Sequence, residues 1–232
     1  MDSSVRAAAL IPNYNNSRTL PDVLERTLAV IPDLLVVDDG STDDSWKVIE
    51  SFGERVRSLR HPVNMGKGRA LRDGFAHLAS GGFNHAVALD ADGQHFPEDI
   101  PLFLDASALF PDAIIVGERD MREAGAPLGS RFGLWCSNSA LRIFRGVSIR
   151  DSQCGFRLYP LPAVSNLDLR GDRYDFEMEV LLEAARAGIP IRAVAVRVTY
   201  EPAGGRVTHF RPVRDFLQIA GRVARSLRPR RG

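Results

Sequence analysis

Asp90, Asp92 and Gln94 place two carboxylates and an amide oxygen at alternate positions of the segment DADGQH, Asp90 to His95. An apolar run, His85 to Leu89 (HAVAL), comes directly before them and reads as a buried strand, so these oxygens emerge at a carboxyl edge, where open α/β sheets bind ligands. Hard oxygen donors of this kind suit Mg²⁺ or Mn²⁺, which keeps positions open for waters and substrate phosphates. An Asp-x-Asp can also be a simple turn, since Asp bonds its own backbone. The rest of the chain favours the metal-bound diphosphate.

Two further polar clusters follow apolar runs. Val5 to Ile11 ends at Pro12 and runs into Asn13 to Ser17, and Leu34 to Val37 runs into Asp38, Asp39, Gly40 and Ser41. Val56 to Leu59 and Ala113 to Val116 read as further strands, with helices opening at Pro21, at Thr42 or Asp43, from Gly66 to Ala79 and at Pro97. Alternating strands and helices imply a mostly parallel sheet flanked by helices, whose strand ends bring the three clusters to one edge. Asp38 and Asp39 could then accept hydrogen bonds from a base or ribose, while Gly66, Lys67 and Gly68 permit close backbone approach and add a cation. Farther on, Phe132 to Phe144 and Asp175 to Ala187 have helical spacing, and Ile191 to Thr199 alternates like a strand. Glu177 and Glu179 read as a polar helix face, and His61, His77, His85 and His95 as loop or surface residues.

The 232 residues suffice for one large α/β domain with a substantial core. Phosphate-binding P-loop and dinucleotide glycine patterns are absent, which argues against those folds. Cys136 and Cys154 have no zinc or disulfide spacing, which points to a reducing compartment. No 18-residue apolar window or charged-then-apolar leader appears, so the expectation is a cytoplasmic protein that does not span a membrane.

Together, IPNYNN (Ile11 to Asn16), VVDDGSTDDS (Val36 to Ser45), NMGKGRAL (Asn64 to Leu71), LDADGQH (Leu89 to His95) and DSQCGFRLY (Asp151 to Tyr159) resemble family 2 glycosyltransferases. Within the family they are most similar to the polyprenyl-phosphate sugar transferases of the dolichyl-phosphate mannose synthase group. The resemblance implies a GT-A fold over residues 1–212, a UDP- or GDP-linked sugar donor, Mg²⁺ or Mn²⁺, and transfer of a hexose with inversion to a polyprenyl phosphate. It places Pro12, Tyr14, Asn16, Asp38, Asp39, Lys67 and Asp90 around the nucleotide, although relatives often have Glu at Asn16. It assigns Asp90, Asp92 and Gln94 to the metal, Asp92 and Asp151 to catalysis, and Gln153 to the sugar. Arg119, Arg131, Ser137, Arg206 and His209, with Arg211, fall where the acceptor phosphate is bound. Asp151 could be a base for a hydroxyl acceptor, or could orient the sugar for a phosphate acceptor.

The C-terminal stretch is distinct. From Arg206 to Gly232 there are eight Arg and one Asp, against 22 basic and 28 acidic side chains elsewhere. Val213, Phe216, Leu217, Ala220, Val223, Ala224 and Leu227 share one helical face, so residues 213–232 read as a basic amphipathic helix that lies on an anionic membrane surface or docks on the core. Nothing indicates nucleic acid as a partner. Many relatives carry C-terminal membrane spans that this chain does not show, which keeps a glycan or other lipid acceptor open. A non-catalytic sugar-nucleotide-binding scaffold is the reading from another class.

Overall fold

The computed structural model describes residues 5–120, 138–139, 141–142, 147–169, 171–172 and 175–199. The expected helix Phe132 to Phe144 lies almost wholly outside them. Residues 213–232 and the named residues Arg131, Ser137, Arg206, His209 and Arg211 lie outside them as well.

Among the described residues, seven strands form one sheet: β1 (Ala7–Asn13), β2 (Leu34–Asp38), β3 (Arg57–Arg60), β4 (His85–Ala88), β5 (Ile114–Arg119), β6 (Arg157–Pro160) and β7 (Ile191–Val196). Their order is β3-β2-β1-β4-β6-β5-β7, and β6 runs antiparallel to both its neighbours while the other pairings are parallel. The central strands are apolar without interruption because both sheet faces are covered. In β1, Ala8 and Leu10 face one core while Ala9 and Ile11 face the other, and in β2 Leu35 and Val37 oppose Leu34 and Val36.

Helix α1 (Leu20–Leu28), α2 (Ser45–Ser51) and α4 (Ile100–Leu109) cover one face through Leu20, Val23, Leu24, Ile49, Ile100 and Phe103. Helix α3 (Lys67–Ser80), the short α5 (Leu161–Val164) and α6 (Asp175–Ala187) cover the other through Leu71, Phe75, Leu161, Phe176 and Val180. Pro97 opens a 3₁₀ turn, Pro97–Asp99, that leads into α4. The expected strand from Ile191 stops at Val196, where the chain leaves β5 and makes a single bridge from Val198 to His95.

β6 was not anticipated as a strand. Its four residues are all buried, but Arg157 interrupts the apolar run that would have marked it. The connection from β1 goes to β2 on one side, while β4 lies on the other, so the sheet order reverses at β1 and leaves a crevice at the carboxyl ends of β1 and β4.

Candidate active site

The loops after β1 and β2 are stitched together. Asn13 and Asp38 are register partners, and Asn13 Nδ2 donates to Asp38 Oδ1 at 3.0 Å and to Ser41 Oγ at 3.2 Å. Asn15 sits at φ 58°, a left-handed conformation that Asn tolerates, and its Oδ1 accepts the Thr42 amide at 2.8 Å. Asp38 is fully buried and is also approached by Arg60 Nε at 3.5 Å, so it braces the loop from below. Asp39 accepts the amides of Met65 at 2.9 Å and Gly66 at 2.7 Å, which ties the end of β2 to the turn opening α3. His61 Nδ1 stands 2.7 Å from the same carboxylate. Pro12 is buried, while Tyr14 and Asn16 are half-buried at the rim.

Across the crevice, Gly93 at φ 75° turns the DADGQH loop, and Gln94 donates its amide to Asp92 Oδ1 at 3.0 Å. Thr19, just before α1, bonds the Ala91 carbonyl at 2.6 Å and pins this loop to the first one. Asp90 meets Lys67 Nζ at 2.5 Å, and the same ammonium reaches Glu177 Oε1 on α6 at 2.9 Å. Burial alone would raise the Asp90 pKa, but Lys67, followed by His95 and Arg119, outweighs it and holds the carboxyl below its ordinary value. Burial opposes the charge on Lys67 too, and Asp90 and Glu177 hold its pKa above the usual lysine range. For Asp92, burial first and the Asp90 charge second push the carboxyl up to about 6. His95 is driven down to about 4 by burial, and its Nδ1 has no hydrogen-bond partner.

The second half of the chain closes the site. Arg119, at the end of β5, grips Asp151 in a two-pronged pair, Nε to Oδ2 at 2.6 Å and Nη2 to Oδ1 at 3.0 Å. Asp151 is fully buried, and it also accepts the Gln153 amide at 3.2 Å. Gly155 runs so close beneath the charged cluster that an added Cβ would lie 2.6 Å from Asp90 Oδ2 and 2.9 Å from Lys67 Nζ. Cys154 is buried and its thiol is pushed up to about 12, chiefly by burial, which leaves no thiolate for nucleophilic chemistry.

The structure therefore gathers Asn13, Asp38, Asp39, Lys67, Asp90, Asp92, Arg119 and Asp151 at one edge of the sheet. Two expectations are corrected. Glu177 and Glu179 are not a solvated face, since both are buried on a helix enclosed from Phe176 to Leu182. His61, His85 and His95 are buried as well, and of the four histidines named only His77 is exposed. Sequence reasoning also missed Arg157, which is fully buried and donates to the carbonyls of Cys154 at 2.7 Å, Glu177 at 2.7 Å and Ser152 at 2.9 Å. A usable signal was present in FEMEVLL, where two acids stand in a run too apolar to offer a wet face.

Among the described residues, no three His, Cys, Asp or Glu side chains form a metal cage. A hard cation carrying a diphosphate takes only one or two carboxylates from the protein, and the mutual repulsion of Asp90 and Asp92 is the electrostatic condition that such a cation relieves. The residues present fit that mode of binding.

A mostly parallel seven-stranded sheet flanked by helices, with its order reversing at β1, is the GT-A fold. The chain belongs to glycosyltransferase family 2, whose sequence model, Glycosyl transferase family 2, matches residues 8–167. It is 29% identical over 207 residues to the undecaprenyl-phosphate mannosyltransferase of Micrococcus luteus, covering 84% of each chain. It is 32% identical over 241 residues to the dolichyl-phosphate beta-glucosyltransferase of Drosophila melanogaster, covering 89% of this chain and 71% of that one. Among solved structures it resembles glucosyl-3-phosphoglycerate synthase of Mycobacterium tuberculosis, crystallised with Mn²⁺, uridine diphosphate and glucosyl-3-phosphoglycerate. The TM-score is 0.68 at 20% identity, over 97% of this chain and 80% of that one, a likeness of fold.

Proposed function

We propose that this glycosyltransferase moves a hexose from a UDP- or GDP-linked donor to a polyprenyl phosphate, with inversion and with a divalent metal. The observation that carries the reading is the convergence of Asp90 and Asp92 with Lys67 and Arg119 at the crevice. Arg119 acts electrostatically on both aspartates, so paired anions and paired cations face the same space. In this reading Pro12, Tyr14, Asn16 and Asp39 flank the base and ribose, Asp38 supports their loop from beneath, and Gln153 faces the sugar. Asp90 and Asp92, with Gln94, would hold Mg²⁺ or Mn²⁺, which when bound offsets charge developing on the departing diphosphate. Lys67 adds positive charge on the same side.

An acceptor phosphate is already anionic at neutral pH, so it needs placement more than deprotonation. Arg119 is 13% exposed and anchored by Asp151, which suits a fixed guanidinium for an anion. Attack by a phosphate oxygen at the anomeric carbon, on the face opposite the leaving diphosphate, inverts that centre in one displacement. The relatives named for undecaprenyl- and dolichyl-phosphate transfer support this acceptor class.

The competing reading, transfer to a hydroxyl, needs Asp151 as general base. Both its oxygens already accept N–H groups from Arg119, so taking a proton would first require breaking that pair. The deciding assay supplies UDP- and GDP-hexoses with Mn²⁺ and either a polyprenyl phosphate or the same polyprenol without its phosphate. Turnover with the phosphate alone is expected, and turnover of the bare alcohol would install the hydroxyl reading instead. Asp92→Ala should leave a folded protein with no transfer in Mg²⁺ or Mn²⁺.

A further inference from the structure

Lys67 touches two carboxylates whose surroundings differ. Glu177, on α6, is only 9% exposed and faces the closed side, whereas Asp90 is 28% exposed and opens to the crevice. An ammonium has three N–H donors, so it can keep one bond while exchanging another. Gly155 runs directly beside the three charged groups, where an added Cβ would lie 2.6 Å from Asp90 Oδ2, 2.9 Å from Lys67 Nζ and 3.1 Å from Glu177 Oε1. Without Glu177, the flexible lysine would lean further onto Asp90 and occupy an oxygen that a divalent cation needs.

We propose that Glu177 is a positioning residue that anchors the Lys67 ammonium, so that Lys67 can pass from Asp90 to the donor diphosphate while Asp90 turns to the metal. The inference rests on the donor reading above and adds a new element to it. Lys67 serves as the stand-in counterion of Asp90 in the metal-free protein, and it competes with the cation until the donor arrives. Asp90, Asp92 and Glu177 bring three negative charges against Lys67 and the Asp151-paired Arg119. A divalent cation held by the aspartates balances two of these, which releases the ammonium for phosphate.

Competition and assistance have opposite signs, which a merely structural role does not produce. Mn²⁺ binding alone can be followed by electron paramagnetic resonance of the free ion, and UDP and GDP binding at saturating Mn²⁺ by calorimetry. The double variant Lys67→Met/Glu177→Gln removes both charges together and leaves no unpaired carboxylate on α6. It should bind Mn²⁺ alone about fivefold more tightly and the nucleotide about tenfold more weakly, the scale of one charge-assisted hydrogen bond. Glu177→Gln alone should weaken Mn²⁺ binding about threefold, because Lys67 then leans on Asp90. A parallel fall of both affinities in the double variant, or Mn²⁺ binding by Glu177→Gln equal to that of the parent, would overturn the proposal. If melting curves show that the double variant does not fold, the single variant decides by the same Mn²⁺ measurement. A parent protein that binds neither UDP nor GDP with Mn²⁺ removes the donor reading itself, an outcome distinct from failure of the exchange.

Discussion

At the scale of single residues, the charges buried at the sheet edge are each matched by a specific partner. Arg157 satisfies three backbone carbonyls from a fully buried position. Arg157→Met would strand those acceptors and should cost about 3 kcal/mol, or about 6–12 °C in Tm for a chain of this size. A melt within two degrees of the parent would show that water replaces the guanidinium at no cost. Asp92 gives the pH dependence. With its folded value near 6, above its ordinary 3.8, the folded protein holds a proton that the unfolded chain gives up. This group's contribution to stability is therefore full below about pH 4 and is lost as pH rises to about 6. The same proton competes with metal, so Mn²⁺–nucleotide affinity should fall below about pH 6, approaching tenfold per unit. Titrations at pH 5.0 and 7.0 that gave equal affinity would exclude Asp92 from the metal. The aspartate pairs were legible because spacing alone placed them after apolar runs. Glu177 was marked only by the apolar setting of FEMEVLL, and Arg157 not at all, because its partners are backbone carbonyls brought to it by the fold.

At the scale of elements, two packing arrangements hold the DADGQH loop. Asp99 is buried and takes three bonds from Arg197, from its backbone amide at 2.8 Å and from Nε and Nη2 at 2.9 and 2.6 Å. This clamp fixes the chain after β7 beside the loop, where Thr199 donates to the Gln94 carbonyl at 3.0 Å. Arg26 and Arg197 both stack on Phe96. Asp99→Ala should speed amide hydrogen exchange at Thr199 while leaving the amides of β1 unchanged, and uniform protection would show the clamp to be idle. Gly155→Ala drives a methyl into the ends of the Asp90 and Lys67 side chains, which must turn aside and loosen their ion pair. Nucleotide–Mn²⁺ affinity should therefore fall about tenfold, while stability drops by only about 1–2 kcal/mol. Strands β1, β2, β4 and β5 were readable as short uninterrupted apolar runs, helix α3 from its glycine-rich opening and α6 from the helical spacing of its apolar residues. β6 escaped because it is four residues long and opens on an arginine, which breaks the apolar run between Phe156 and Leu158.

For the whole molecule, the sequence separates charge into an acidic body and a strongly basic C-terminal stretch. Replacing Arg222, Arg225 and Arg228 by Gln should lower association with anionic vesicles, each arginine near a surface contributing about 1 kcal/mol, while sparing activity on a short water-soluble acceptor. Equal vesicle binding by the two forms would exclude an electrostatic membrane contact.

The direction of β6 has a broader result. Because this one strand runs backwards, the segment entering it at Arg157 starts from the edge where β5 ends at Arg119, and the Arg119–Asp151 pair latches the two stems together. The two stems are thus held by their own pairing and by this buried ion pair, so the register of β5 on β6 is set from within the sheet.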